Sequence, residues 1–215
     1  KPDADYLGWE VKQYGVANFE RYQPKSPITL FTPEPVYRLG SSTKFVREYG
    51  YPDKSGKPDR INFGGIYTLG KAQHADTGLR MVLDGFDRDS DKITNIDGGL
   101  ALVDRRGESV AEWKFTALME HWNRKHAQAV YIPSIFRTPP PEYAFGAQIL
   151  LCEQTDFVLF LSAIANGIVY YDPALKLENA SNSASSAKAR SQFRIKHTMI
   201  TKVYHRSEVV DLSLG

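Results

Sequence analysis

A chain of 215 residues, 24% charged and 42% hydrophobic, has room for one sizeable domain with its own core, and any second domain would be small. A formal net charge of +2 does not announce a nucleic-acid binder, so any basic surface has to be local. The single cysteine, Cys152, excludes an internal disulfide and a cysteine-built metal site, which fits a reducing cytoplasm.

No initiator methionine or signal peptide opens the chain; Lys1-Pro2-Asp3 reads as the start of a fragment, with a missing N-terminal segment expected upstream. Leu7 to Val16 has strand character. Ile28-Thr29-Leu30-Phe31, between prolines, suits an edge strand or a bounded short one. Ser41 to Tyr49 reads as a short helix with an N-cap serine, followed by a turn from Tyr51 to Arg60. Leu79 to Leu83 and Gly99 to Val103 read as strands, and the turn Arg105 to Glu108 leads into Val110 to Phe115 as a hairpin.

Thr116 to His126 is helical by the spacing of Ala117, Leu118 and Trp122. Asn123, Arg124, Lys125 and His126 at its end are offered as DNA contacts, but cations there also complement the helix dipole, and that is the reading preferred for most of them. Ala129 to Ile132 and Gln148 to Cys152 are strands, and Thr155 is placed as the cap of a helix reaching about Ala165. The longest apolar stretch, Phe157 to Tyr171, is broken by Ser162, Asn166 and Gly167 and falls short of the roughly 20 residues of a membrane span. Ile168 to Tyr171 is extended. Glu178 to Arg190, rich in Asn, Ser and Ala, is expected as a flexible loop with a basic end. Phe193 to His197 returns to strand, and a short helix and a strand near Val209 to Leu212 close the chain. Mixed strands, hairpins and helices argue for an α/β or α+β sheet domain.

The first residues carry the chemistry. Along a strand, Glu10 and Lys12 share a face while Trp9 and Val11 take the other. A carboxylate and an ammonium side by side among core residues are costly without a partner or a task. Mg²⁺ suits the task, because it needs one or two carboxylates, a substrate phosphate and waters. Asp5 and Glu10 are the candidate ligands, with Asp3 as a rival to Asp5, and Lys12 would orient the attacking water. The spacing alone does not decide, since Asp104 with Glu112-Trp113-Lys114 offers the same pattern in a hairpin.

Asp5-x₄-Glu10-x-Lys12 with Gly8 before the glutamate, then Ser26 to Thr32, resembles the MvaI/BcnI restriction endonuclease family, relatives of the mismatch-repair nickase MutH. Asn62 to Tyr67, Leu118 to His126 and Arg190 to Lys196 continue the likeness in order along nearly the whole chain. The resemblance implies a PD-(D/E)xK restriction-endonuclease-like fold over residues 1–215, a mixed central sheet flanked by helices with a DNA-recognition lobe. Recognition elements are expected in about 60–110 and 172–200. It implies Asp5, Glu10 and Lys12 as the catalytic residues, and it makes Glu112 and Lys114 a strand-end ion pair. It also implies Mg²⁺-dependent, sequence-specific cleavage of double-stranded DNA with 5′-phosphate and 3′-hydroxyl ends, in a bacterial cytoplasm, by a monomer or homodimer; Mn²⁺ is expected to substitute. A MutH-like strand nickase and a catalytically silent DNA-binding module are the alternatives.

Lys188, Arg190, Gln192, Arg194, Lys196 and His197 are the candidate DNA contacts. Arg194 and Gln192 are placed as base readers, because arginine and glutamine can bond base edges while lysine mostly meets phosphate.

Overall fold

The central sheet starts from a turn that its sequence dictates. Leu7 and Gly8 have φ of 53° and 83°, the left-handed pair of a two-residue hairpin turn, and Gly8 takes that conformation without a Cβ penalty. The strand expected from Leu7 therefore begins at Trp9, and the hairpin pairs Asp5–Tyr6 with Trp9–Gly15. The computed structural model describes the backbone of residues 5–214 and the side chains of residues 6–213.

From that hairpin the sheet runs Asp5–Tyr6, Trp9–Gly15, Gln128–Arg137, Gln148–Glu153, Arg206–Asp211, with Glu142–Phe145 folded back on the second half of Gln128–Arg137. Trp9–Gly15 and Gln128–Arg137 are parallel and the other pairs antiparallel, so the sheet is mixed, as expected. Among the described residues there are three α-helices: α1 (Ser42–Tyr49), which packs on a separate smaller sheet, α2 (Phe115–His126) and α3 (Phe157–Ala165). Ser41 caps α1 as its sequence suggests, its side chain accepting from the Lys44 N–H.

The remaining strands form smaller sheets. Ile28–Phe31 is the edge of a three-stranded sheet, beside Phe193–Ile195 and then Val169–Tyr171. Gly99–Val103 lies between Arg80–Asp84 and Ser109–Lys114, while Arg60–Gly64 pairs with Ala174–Glu178 and Tyr51–Pro52. An aromatic chain ties two of these sheets to α2. Trp122 meets Phe31 at 5.8 Å, Phe31 meets Phe193 at 5.4 Å, Phe193 meets Trp113 at 5.4 Å and Trp113 meets Tyr171 at 4.7 Å between ring centroids. Each ring is buried, and burial of a large side chain contributes about 1.5–3 kcal/mol. Among the described residues no helix is long and apolar enough to cross a membrane.

Three local expectations change. Asp156, not Thr155, caps α3 by accepting from the Leu159 N–H at 2.7 Å. The Thr155 hydroxyl is instead occupied between Trp122 Nε1 (3.2 Å) and the Val203 carbonyl (2.6 Å). The strand from Phe193 ends at Ile195, and His197 opens a 3-10 helix, His197–Val203. Finally, the polar segment after Glu178 is anchored rather than loose. Arg47 donates to the Ala180 and Asn182 carbonyls, Asp59 accepts from Ser181, and Lys188 bridges Lys176 through both backbone groups.

Candidate active site

The two-residue turn converts sequence spacing into a register. Asp5 lies directly opposite Glu10 in backbone pairing, so the five-residue separation is the one a two-residue hairpin requires. Of Asp5 only the backbone is described, and Asp3 lies outside the described residues.

Glu10 and Lys12 project into one cleft. Lys12 Nζ donates to Glu10 Oε1 at 3.1 Å and to the Leu30 carbonyl at 2.8 Å. The Glu10 and Lys12 side chains are 14% and 10% exposed, whereas those of Glu112 and Lys114 are 43% and 60% exposed at 3.8 Å. Water screens the second pair and leaves it the weak surface interaction expected of it. Its supposed third member is also committed elsewhere, since Asp104 accepts from the backbone N–H groups of Arg106 and Glu108 in a turn. The charge pair held against the core is the first one.

A second lysine reaches the same carboxylate. α2 ends at His126, and three residues later Ala129 is the parallel partner of Glu10. That short link brings the last turn of α2 over Trp9–Gly15 and sets Lys125 Nζ 3.6 Å from Glu10 Oε2. Lys125 is 14% exposed, so it faces the site and does more than complement the helix dipole. His121 and Arg124, with Arg124 donating to His121 Nδ1 at 3.1 Å, line the outer wall of the same cleft beside Thr29 and Thr32. The cleft encloses about 330 Å³. Helix position offered Arg124 and Lys125 as DNA contacts but favoured a dipole role for them, and it did not single out His121; the pairing that assembles the cleft joins residues more than a hundred positions apart.

His126 departs furthest from its expected role. It is fully buried, stacked on Trp122 at 4.0 Å, and its pKa is held well below the ordinary value by burial and by the Lys12 charge. A neutral imidazole cannot complement a helix dipole.

The six candidate DNA contacts fall into two groups, and none lines the cleft of Glu10 and Lys12. Lys188, Arg190 and Lys196 are exposed. Lys196 and His197 line a separate cleft with Lys25 and Ser26, and the chain from Pro24 to Thr32 runs from that cleft into the one that holds Glu10 and Lys12. His197 is half-buried against the Tyr14 ring at 4.6 Å, and burial lowers its pKa. Gln192 and Arg194 face inward. Gln192 is 5% exposed, with its amide oxygen oriented to accept from the Arg190 guanidinium. Arg194 donates to Asp172 at 2.7 Å and to the Pro27 carbonyl at 2.6 Å.

Among the described residues no group of three or more His, Cys, Asp or Glu side chains could hold a metal. The Glu10 carboxylate, with oxygen donors of substrate and water, is nevertheless a chemically suitable wall for a hard cation that needs few protein ligands.

The sequence pattern of the MvaI/BcnI restriction endonuclease family matches residues 1–204. None of the curated proteins searched matches the chain. Among solved structures, the chain is similar to restriction endonuclease MvaI in complex with cognate DNA substrate, with a TM-score of 0.65 and 16% identity over 95% of this chain and 81% of that one. It is also similar to MvaI in the absence of DNA, with a TM-score of 0.59 and 18% identity over 96% of this chain and 80% of that one. These likenesses establish the shared fold. The family match covers nearly the whole chain, and the chain belongs to the MvaI/BcnI restriction endonuclease family, a family of site-specific DNA endonucleases.

Proposed function

We propose that this protein hydrolyses phosphodiester bonds at a specific sequence in double-stranded DNA, with Mg²⁺, and leaves 5′-phosphate and 3′-hydroxyl ends. The observation that carries the reading is the Glu10 carboxylate with Lys12 on one oxygen and Lys125 beside the other, in an open cleft. Two ammonium groups on one carboxylate suit a site that must accept a phosphate dianion-like transition state, because fixed positive charge stabilises the negative charge that develops there.

Glu10, with Asp5 opposite it in register, would hold the ion together with a substrate phosphate. Bound there, Mg²⁺ (or Mn²⁺ in its place) would supply polarisation of the phosphate and a water that loses its proton more easily. Lys12, fixed by the Leu30 carbonyl, orients the water toward phosphorus and stabilises the pentavalent state. Oxygen from water bonds to phosphorus, the P–O3′ bond breaks, and the 3′-oxygen leaves and takes a proton. His121 and Arg124 at the outer wall are placed to meet phosphates of the bound strand. Lys25 and Lys196 extend that positive surface along the same chain segment.

The test is digestion of a random-sequence duplex library with the protein and Mg²⁺, followed by sequencing of the ends. One shared sequence at ligatable 5′-phosphate ends supports the reading. Ends with no common sequence, or no cleavage beside intact binding, would overturn it in favour of non-specific nuclease action or of binding alone. Cuts confined to one strand would support a nickase.

A further inference from the structure

The Leu30 carbonyl that holds Lys12 is freed by an irregularity in its own strand. Across the Ile28–Phe31 and Phe193–Ile195 pair, Phe31 faces Phe193 and Thr29 faces Arg194, so Leu30 has no cross-strand partner. A bulge of this kind releases one residue from the ladder and re-aims its groups. Here the released carbonyl accepts from Lys12 Nζ at 2.8 Å and lies 3.2 Å from His126 Nε2.

Proton accounting then fixes the ring. A carbonyl only accepts, so Nε2 carries the hydrogen, and in a neutral imidazole Nδ1 is then the acceptor. Its partner at 2.7 Å is the Tyr204 hydroxyl, which must donate. The Tyr204 oxygen in turn accepts from the Tyr131 hydroxyl at 2.9 Å. Tyr131 closes the circle, because it is the parallel-strand partner of Lys12. Tyr131, Tyr204 and His126 are all buried, with Trp122 and Phe31 packed on the imidazole and Lys12 and Lys125 as the neighbouring charges. A buried chain in which every donor finds an acceptor is rigid, and any member left unpaired is costly.

We propose that His126, held as its Nε2–H tautomer by Tyr204 and Tyr131, is the positioning residue that fixes the bulged Leu30 carbonyl and, through it, the Lys12 ammonium. The role in catalysis rests on the function proposed above; the geometry of the chain does not. His126 does not touch substrate. It removes the freedom of the group that anchors a residue which does.

The experiment combines cleavage with two readouts that need no cleavage. Single-turnover cleavage with Mg²⁺ and DNA affinity with Ca²⁺ are measured for the full chain and for H126L, H126Q and Y204F. H126L should slow cleavage by about tenfold to a hundredfold, in the range for groups that orient site residues, with little change in affinity. H126Q, whose amide N–H can reach the same carbonyl, should recover most of the rate. Long-range ¹H–¹⁵N correlation on the unaltered protein should show a neutral Nε2–H imidazole for His126 at pH 7. Reductive methylation should modify Lys12 faster in H126L and Y204F than in H126Q. A folded H126L that cleaves at the full rate overturns the proposal, as does an Nδ1–H or doubly protonated ring. If H126L does not fold, Y204F and the imidazole signal decide. A wild-type protein that never cleaves DNA would sink the proposed function, while the tautomer and the Lys12 methylation still judge the positioning.

Discussion

Glu10 and Lys125 lie 3.6 Å apart although one belongs to the first complete strand and the other to the last turn of α2. Their meeting follows from the parallel pairing of Trp9–Gly15 with Gln128–Arg137, whose first pair, Ala129 with Glu10, comes only three residues after the end of the helix. Lys12 takes the other carboxylate oxygen, so the carboxylate is held from both sides.

That arrangement predicts that Lys125→Ala slows Mg²⁺-dependent cleavage by about tenfold to a hundredfold, the usual cost of removing a group that orients a site residue. Lys125→Arg, which keeps the charge, should lose less. A single-turnover rate checks both, with thermal unfolding to show that the fold survives. An unchanged rate for Lys125→Ala would return this lysine to a helix-end role.

Arg194 gives a prediction of the opposite kind. Its guanidinium is bonded to Asp172 and Pro27, its Nε is buried without a hydrogen-bond partner among the described residues, and its side chain is 18% exposed. Arg194→Ala and Asp172→Ala should each destabilise the fold by about 1.5–3 kcal/mol, the range for hydrogen bonds to charged groups. Denaturant unfolding of the single and double variants should reveal strong coupling. A stable Arg194→Ala protein with relaxed sequence preference would instead make this residue a base reader.

Much of this was legible in the sequence and the rest was not, for physical reasons. Glu10 and Lys12 are two residues apart on a strand, so local periodicity places them on one face. Ile28–Phe31 lies between prolines, which marks an edge. Lys125 and His126 looked like dipole-complementing cations, because nothing local says which strand the helix leads into or that Ala129 pairs with Glu10. Alternation along Phe193–Ile195 correctly set Arg194 opposite the apolar face, yet the side chain finds Asp172, contributed by the turn after the neighbouring strand. The bulge at Leu30 leaves no sequence mark either: leucine is an ordinary strand residue, and the irregularity exists only against the partner strand.

Protonation offers a check on the buried imidazole. Its folded pKa lies well below the ordinary 6.5 because of burial and then Lys12, so below that pH the unfolded chain binds a proton that the native state refuses. Stability should therefore fall as pH drops from about 6.5 toward 5, by about 1.4 kcal/mol per pH unit for this group. His197, also lowered by burial, acts in the same direction. Denaturant unfolding across that window should show a shallower slope for His126→Gln. An equally steep slope in that variant would place the proton elsewhere.

Asp156→Ala should cost about 1 kcal/mol through loss of the α3 cap. Thr155→Val should also destabilise, by a different route, since the Trp122 indole loses its acceptor and the Val203 carbonyl its donor. Thermal unfolding separates them: an Asp156→Ala protein as stable as wild type would contradict the cap assignment.

The central claim is that Glu10 and Lys12 are the catalytic heart of a DNA endonuclease. It is tested most directly by single-turnover cleavage of duplex DNA by wild type, Glu10→Ala and Lys12→Ala, with Mg²⁺ and with EDTA, beside DNA affinity measured in Ca²⁺. The account predicts Mg²⁺-dependent cleavage by wild type, none with EDTA, and folded variants that still bind DNA but cleave at least about a hundredfold more slowly. Cleavage at the wild-type rate by either folded variant would contradict it.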